Sequence, residues 1–115
     1  MHLYRVTTES SAACINPMDA LDRLKGTMPP VIIDVRDENE FRRFHIPGAL
    51  WMSADDLHGL IEDLPRDREY VTVCRSGARS GVTAWQMRAA GFNVVNLCGG
   101  LLAWQRAGYE VECCN

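Results

Sequence analysis

Short apolar runs that alternate with helical patterns are the feature that most limits how this chain can fold. Five runs rich in branched or aromatic side chains predict strands at residues 3–7, 31–35, 49–52, 70–73 and 93–97. Helical patterns separate these runs along most of the chain. Such an alternation predicts an α/β domain with a parallel sheet.

Helix starts can be placed from capping residues. Asn16 with Pro17 directly after it predicts the N-cap and first position of a helix. Asp37 followed three residues later by Glu40 predicts a capping-box start for a short helix that continues through Phe44. The predicted helices cover residues 17–24, 37–44, 53–64, 79–90 and 101–106.

A cysteine directly after a predicted central strand is the strongest functional candidate. In open parallel sheets, ligands bind beyond the carboxyl ends of the strands, and Cys74 follows the strand at residues 70–73. The loop from this cysteine to the next helix reads Cys74, Arg75, Ser76, Gly77, Ala78, Arg79 and Ser80. Backbone N–H groups at such a turn and helix start form an anion-binding nest, and the two arginines add positive charge. The pattern predicts a thiol with a depressed pKa, that is, a nucleophile.

Three blocks of sequence, in order, resemble a known family. They are Asp-Val-Arg at 34–36 followed by Glu-Phe-Arg-Arg-Phe-His-Ile-Pro-Gly-Ala at 40–49, Cys-Arg-Ser-Gly-Ala-Arg-Ser at 74–80, and Gly-Gly-Leu-Leu-Ala-Trp at 99–104. Together they resemble a single-domain rhodanese, a sulfurtransferase domain. One departure stands out: Phe44 occupies a position where the family usually has glycine, which brings the turn before His45 into question.

The resemblance implies a fold and an activity. We expect one rhodanese-like domain over residues 1–115, with a mainly parallel five-stranded central sheet, helices on both faces and a frayed tail at about 112–115. The implied reaction is sulfane-sulfur transfer through a Cys74 persulfide, from an anionic donor such as thiosulfate to a thiol, or to cyanide in vitro. The rest of the loop would bind the donor, without metal or organic cofactor. The residues for which the resemblance implies mainly structural roles are Asp34, Arg36, Glu40 and His45.

Two other functions compete with this interpretation. Phosphatases and arsenate reductases that share the fold resemble C-x5-R, whereas the spacing from Cys74 to Arg79 is C-x4-R, which in the family accompanies sulfur chemistry. A non-catalytic domain is the other alternative: a thiol or persulfide sensor, a sulfur carrier or an interaction module.

The remaining cysteines and the overall charge complete the expectations. The chain has five cysteines without a C-x-x-C pair, so we expect free thiols in a reducing compartment. Cys98 is a possible secondary thiol, whereas Cys14 is expected to be inert and Cys113 and Cys114 to lie in the tail. A net charge of −3 disfavours nucleic-acid binding. Without a signal-like or membrane-spanning segment, we expect a cytoplasmic protein, and a monomer by default.

Overall fold

Parallel strands alternate with helices throughout residues 14–113, the part of the chain that the computed structural model describes. The strands are β1 (Cys14–Ile15), β2 (Val31–Asp34), β3 (Leu50–Trp51), β4 (Glu69–Val73) and β5 (Asn93–Leu97). The helices are α1 (Pro17–Leu24), α2 (Glu38–Arg43), α3 (Ala54–Leu60), α4 (Ala78–Ala89) and α5 (Gly100–Arg106), with a 3-10 turn at Ile61–Asp63. The predicted α/β class is confirmed.

The sheet places β4 at its centre. The strand order is β1-β5-β4-β2-β3, and every neighbouring pair is parallel. In the pairing of β4 with β5, Thr72 lies opposite Asn96. The segment after β4 therefore emerges at the middle of the sheet's carboxyl edge, where parallel α/β folds bind their ligands.

Two apolar cores hold helices on both faces of this sheet. Successive strand residues point to opposite faces, so Ile32 lies in one core and Ile33 in the other. Buried helix side chains complete the cores, with Ala20, Leu101 and Trp104 on the α1 and α5 face, and Leu57, Ala84 and Met87 on the α3 and α4 face. The expected helix-covered sheet is therefore present.

Local capping explains where α1 and α2 begin. The Asn16 side-chain Oδ1 accepts a hydrogen bond from the Asp19 backbone N–H at 2.8 Å. The Glu40 Oε1 accepts one from the Asp37 backbone N–H at 3.1 Å, which completes the predicted capping box. Both contacts satisfy N–H groups that a helix start leaves unpaired.

Some boundaries differ from the sequence prediction. The strand predicted at residues 3–7 lies outside the described residues, whereas β1 was not predicted, because a two-residue strand carries no periodicity of its own. Helix α2 ends at Arg43, so the prediction that it includes Phe44 is wrong. The Phe44 backbone is extended (φ −172°), a conformation that any residue adopts, so the turn before His45 needs no glycine. Glu112, which was expected in a frayed tail, instead exchanges backbone hydrogen bonds with His45 at 2.8 Å.

Among residues 14–113, no helix combines the length and the hydrophobicity that crossing a membrane requires.

Candidate active site

The loop after β4 turns tightly around the Cys74 sulfur. Gly77 is the N-cap of α4 and has φ 101°, a left-handed conformation that favours glycine. A Cβ on Gly77 would also lie 3.4 Å from the Gly99 backbone N and from the Leu97 carbonyl oxygen. This turn directs the Gly77 backbone N–H to the Cys74 Sγ at 3.1 Å.

Ser80 provides two further donors to the same sulfur. Its backbone N–H lies 3.4 Å from the Cys74 Sγ, and its hydroxyl lies 3.2 Å from it. Cys74 is 1% exposed and Ser80 is fully buried, so these contacts act where water screens little. The cradle predicted from the sequence is therefore built around Cys74 by Gly77 and Ser80.

Hydrogen bonding outweighs burial in setting the state of the Cys74 thiol. Burial raises its pKa, because a thiolate loses hydration in the interior. The Ser80 hydroxyl and the backbone N–H groups of Ser80, Gly77 and Ser76 lower the pKa, and the net shift is downward. A cysteine whose thiolate is favoured in this way is activated as a nucleophile.

The two loop arginines have different surroundings. Arg79 forms a two-point ion pair with Glu40 of α2, with N–O distances of 3.2 and 3.3 Å. This pairing raises the pKa of Arg79 and lowers that of Glu40. The Arg79 charge also acts on Cys74, but Glu40 partly neutralises it, which the sequence analysis did not anticipate. The exposed Arg75 instead lines a cavity of about 350 Å³ with Arg36 and Arg43.

An asparagine that the sequence analysis did not single out lies beneath the loop. The Asn96 Nδ2 donates to the Gly77 carbonyl oxygen at 2.9 Å. Its Oδ1 accepts from the Ser80 hydroxyl at 2.6 Å and from the Thr72 hydroxyl at 3.2 Å. An amide within the apolar run of β5 was the available signal, because a polar side chain inside a packed sheet needs hydrogen-bond partners.

The first resemblance block supplies structural contacts. Asp34 and Arg36 are both buried and form an ion pair at 2.9 Å. The Arg36 guanidinium also donates to the Phe44 carbonyl oxygen at 2.6 Å and lies over the Phe44 ring. The His45 Nδ1 lies 2.8 Å from the Phe41 carbonyl oxygen, and its ring stacks on the Phe41 ring. These contacts hold the segment after α2 in place.

A disulfide joins Cys14 to Cys98, which contradicts the expectation of free thiols. Because β1 pairs in parallel with β5, the two Cα atoms lie 5.1 Å apart. Cys98 is therefore not a free secondary thiol in this structure. Cys113 is also disulfide-bonded, while Cys114 lies outside the described residues. Of the cysteines in residues 14–113, only Cys74 has a free thiol.

The disulfide faces a groove beside the loop. The groove has a volume of about 470 Å³ and is lined by the disulfide, Gly77 and the half-exposed Trp85, among others. No group of His, Cys, Asp or Glu side chains within the described residues could hold a metal ion.

The protein is a parallel α/β domain in which the free Cys74 lies, hydrogen-bonded, beyond the carboxyl end of the central strand. Residues 17–107 match the family model of the rhodanese-like domain. The chain belongs to the rhodanese-like family.

Relatives in this family carry sulfurtransferase names. A putative sulfurtransferase of Bacillus subtilis is 39% identical over 74 residues, which cover 64% of this chain and 72% of that protein. A thiosulfate sulfurtransferase of Shewanella oneidensis is 38% identical over 77 residues, covering 66% of this chain and 76% of the relative. The crystal structure of a rhodanese-related protein from Thermoplasma volcanium superposes with a TM-score of 0.80 at 27% identity, covering 86% and 96% of the two chains. These similarities support a role in rhodanese-like sulfur transfer.

Proposed function

We propose that the protein is a sulfurtransferase that moves sulfane sulfur from an anionic donor, with thiosulfate as the first candidate, to a thiol acceptor. The observation that carries the proposal is the Cys74 Sγ, a free thiol held by the Gly77 N–H and by the backbone and hydroxyl of Ser80. Donors that stabilise a thiolate also suit the persulfide anion, which is a related sulfur anion.

The first half-reaction forms a covalent intermediate. The Cys74 thiolate attacks the outer sulfur of thiosulfate and forms a new S–S bond. The S–S bond of thiosulfate breaks, and its electron pair leaves on sulfite. The products are a Cys74 persulfide anion and sulfite, so that charge and atoms balance without an added oxidant or reductant.

The second half-reaction regenerates the enzyme. An acceptor thiolate attacks the outer sulfur of the Cys74 persulfide. The S–S bond of the persulfide breaks, and its electron pair returns to the Cys74 sulfur. Cyanide accepts the same sulfur as thiocyanate in vitro. Two half-reactions that share a covalent intermediate predict ping-pong kinetics.

Peptide mass after brief incubation with thiosulfate tests the proposal. We expect the mass of one sulfur atom added to the peptide that contains Cys74, and its removal by cyanide as thiocyanate. Cys74→Ser removes the nucleophile and should abolish both signals. Ser76→Ala removes an exposed side chain but keeps the Ser76 backbone N–H that acts on the sulfur, and should retain them.

A negative result has a defined meaning. If protein with a demonstrably reduced Cys74 gains no sulfur from thiosulfate, thiosulfate is not the donor, and a low-molecular-weight persulfide is tested next. If that donor also leaves Cys74 unmodified, the transferase proposal is wrong, and the sensor or interaction-module alternative takes its place.

A further inference from the structure

The Asn96 side chain is connected at both ends to the loop that holds Cys74. Its Nδ2 donates a hydrogen bond to the Gly77 carbonyl oxygen at 2.9 Å, and its Oδ1 lies 2.6 Å from the Ser80 hydroxyl. Asn96 is therefore in contact with two of the residues whose donors face the Cys74 sulfur. The nearby Thr72 and Ser80 side chains are fully buried, so water does not satisfy their hydroxyl groups.

The Ser80 and Thr72 hydroxyl groups each have one proton to donate but two acceptors within hydrogen-bond distance. The Ser80 hydroxyl has one proton and two acceptors within reach, the Cys74 Sγ at 3.2 Å and the Asn96 Oδ1 at 2.6 Å. The Thr72 hydroxyl also has one proton and two acceptors, the Ser80 carbonyl oxygen at 3.0 Å and the Asn96 Oδ1 at 3.2 Å. The Asn96 Oδ1 therefore competes with the Cys74 sulfur for the Ser80 proton, and Thr72 can replace that proton.

We propose that Asn96 and Thr72 are positioning residues that determine whether the Ser80 hydroxyl donates to the Cys74 sulfur. While Cys74 is a thiol, Ser80 donates to the Asn96 Oδ1. When Cys74 ionises, its proton leaves to solvent, the Ser80 hydroxyl rotates to the thiolate, and the Thr72 hydroxyl rotates to the Asn96 Oδ1. Only O–H bonds rotate within the network, and the Asn96 Oδ1 keeps a donor in both states.

This proposal rests on the assignment of Cys74 as the nucleophile, but it concerns thiol ionisation rather than sulfur chemistry. Without the Thr72 hydroxyl, rotation of Ser80 toward the thiolate would leave the Asn96 Oδ1, a partly buried acceptor, without a donor from the protein. The loss of one hydrogen bond to this acceptor, at the upper end of the usual net contribution, disfavours the thiolate by about tenfold, which corresponds to a rise of about one unit in the Cys74 pKa.

Thr72→Val tests this prediction, because valine keeps the shape of threonine and removes the hydroxyl. The measurement is the rate of Cys74 alkylation by iodoacetamide as a function of pH, together with the melting temperature. We expect the Cys74 pKa to rise by about one unit and the alkylation rate below that pKa to fall about tenfold. The matched control is Thr83→Val, a buried threonine of α4 whose hydroxyl lies near the Arg79 carbonyl oxygen, outside this network.

A double variant separates this role from general disruption of the fold. Because Thr72 acts only through Ser80, Thr72→Val should leave the Cys74 pKa unchanged when it is added to Ser80→Ala. The charged groups that act on Cys74 are the same in all of these variants, since Arg79 keeps its ion pair with Glu40. An unchanged pKa in Thr72→Val, or an equal shift with and without the Ser80 hydroxyl, would overturn the proposal.

Asn96→Asp gives a second test that does not depend on the stability of Thr72→Val. The carboxylate cannot donate to the Gly77 carbonyl oxygen and adds negative charge beside the sulfur, so the Cys74 pKa should rise. The control is Asn93→Asp, the same substitution at the exposed start of β5. A Cys74 pKa that does not rise in Asn96→Asp, or rises equally in the control, refutes the role of Asn96.

Because alkylation does not require sulfur transfer, the two proposals can fail separately. If Cys74 takes no sulfur from any donor but its pKa responds as described, only the proposed function fails. If sulfur transfer proceeds and the pKa does not respond, only the role of Asn96 and Thr72 fails.

Discussion

Ser80→Ala removes one of the hydrogen bonds that hold the Cys74 thiolate, and its effect can be worked out from the structure. The Ser80 hydroxyl lies 3.2 Å from the buried sulfur, while the Gly77 and Ser80 backbone N–H groups remain in the variant. A hydrogen bond to a charged group contributes about 1.5–3 kcal/mol, and one pKa unit corresponds to about 1.4 kcal/mol. The Cys74 pKa should therefore rise by about one to two units toward its ordinary value.

The direction of this shift sets the pH range of the effect. In the folded protein the Cys74 pKa is lowered, so the thiolate persists to lower pH than for an ordinary thiol. Without the Ser80 hydroxyl, the Cys74 thiolate becomes protonated at a higher pH. Iodoacetamide alkylation should slow by about 10–100-fold below the new pKa, whereas the limiting rate at high pH should be nearly unchanged.

The assay is the pH profile of alkylation, with Ser76→Ala as the control. Ser76 acts on the sulfur through its backbone N–H, so removal of its exposed side chain should leave the Cys74 pKa unchanged. The melting temperature checks that both variants remain folded. A Ser80→Ala profile that superposes on the wild-type profile would show that the hydroxyl does not stabilise the thiolate.

Three further perturbations test other contacts. Glu40→Gln should lower the KM for thiosulfate, because it leaves the Arg79 charge unneutralised, and Arg79→Ala should raise that KM. Variants whose KM values equal the wild-type value in steady-state assays would contradict this. Reduction of the Cys14–Cys98 disulfide, which closes a loop of 84 residues, should lower the free energy of unfolding by about 3–4.5 kcal/mol in urea titrations. This loss should be absent when reductant is added to a Cys14→Ser/Cys98→Ser variant, in which only the disulfide of Cys113 responds. Gly77→Ala should cost about 1–2 kcal/mol of stability through its left-handed backbone and should slow Cys74 alkylation.

The glycine prediction has an internal control. Gly59 in α3 has open space around the position of a Cβ and no positive φ. Gly59→Ala should therefore be neutral or slightly stabilising in the same urea titrations. A loss of stability equal to that of Gly77→Ala would show that the backbone conformation of Gly77 is not the cause.

The ion pair between Glu40 and Arg79 should depend on pH. Its pKa is lowered by the hydrogen bond with Arg79, so the ion pair is complete at neutral pH and is lost as the pH falls through the folded-state pKa. The exposure of both partners limits the effect on stability to less than about 1 kcal/mol. An NMR titration of the Glu40 carboxyl in wild type and Arg79→Ala should show the higher pKa in the variant.

Local sequence patterns predicted most of the secondary structure and pointed to the proposed nucleophile, Cys74. Periodicity and capping are short-range, so the alternation of strands and helices, the start of α1 at Asn16 and the turn at Gly77 could be predicted without any tertiary contact. The same holds for Cys74, because a cysteine followed by arginines, serines and a glycine lies entirely within one loop. The three resemblance blocks are likewise contiguous stretches of sequence.

Contacts between distant segments were decided only by the tertiary structure. Nothing local to Arg79 indicates that Glu40, 39 residues away, neutralises it. The pairing of Cys14 with Cys98 depends on a two-residue strand that forms only beside β5. Asn96 reaches Ser80 because β4 and β5 are neighbours in parallel register. Strand order and register bring these groups together, and neither is encoded in the local periodicity of any one segment.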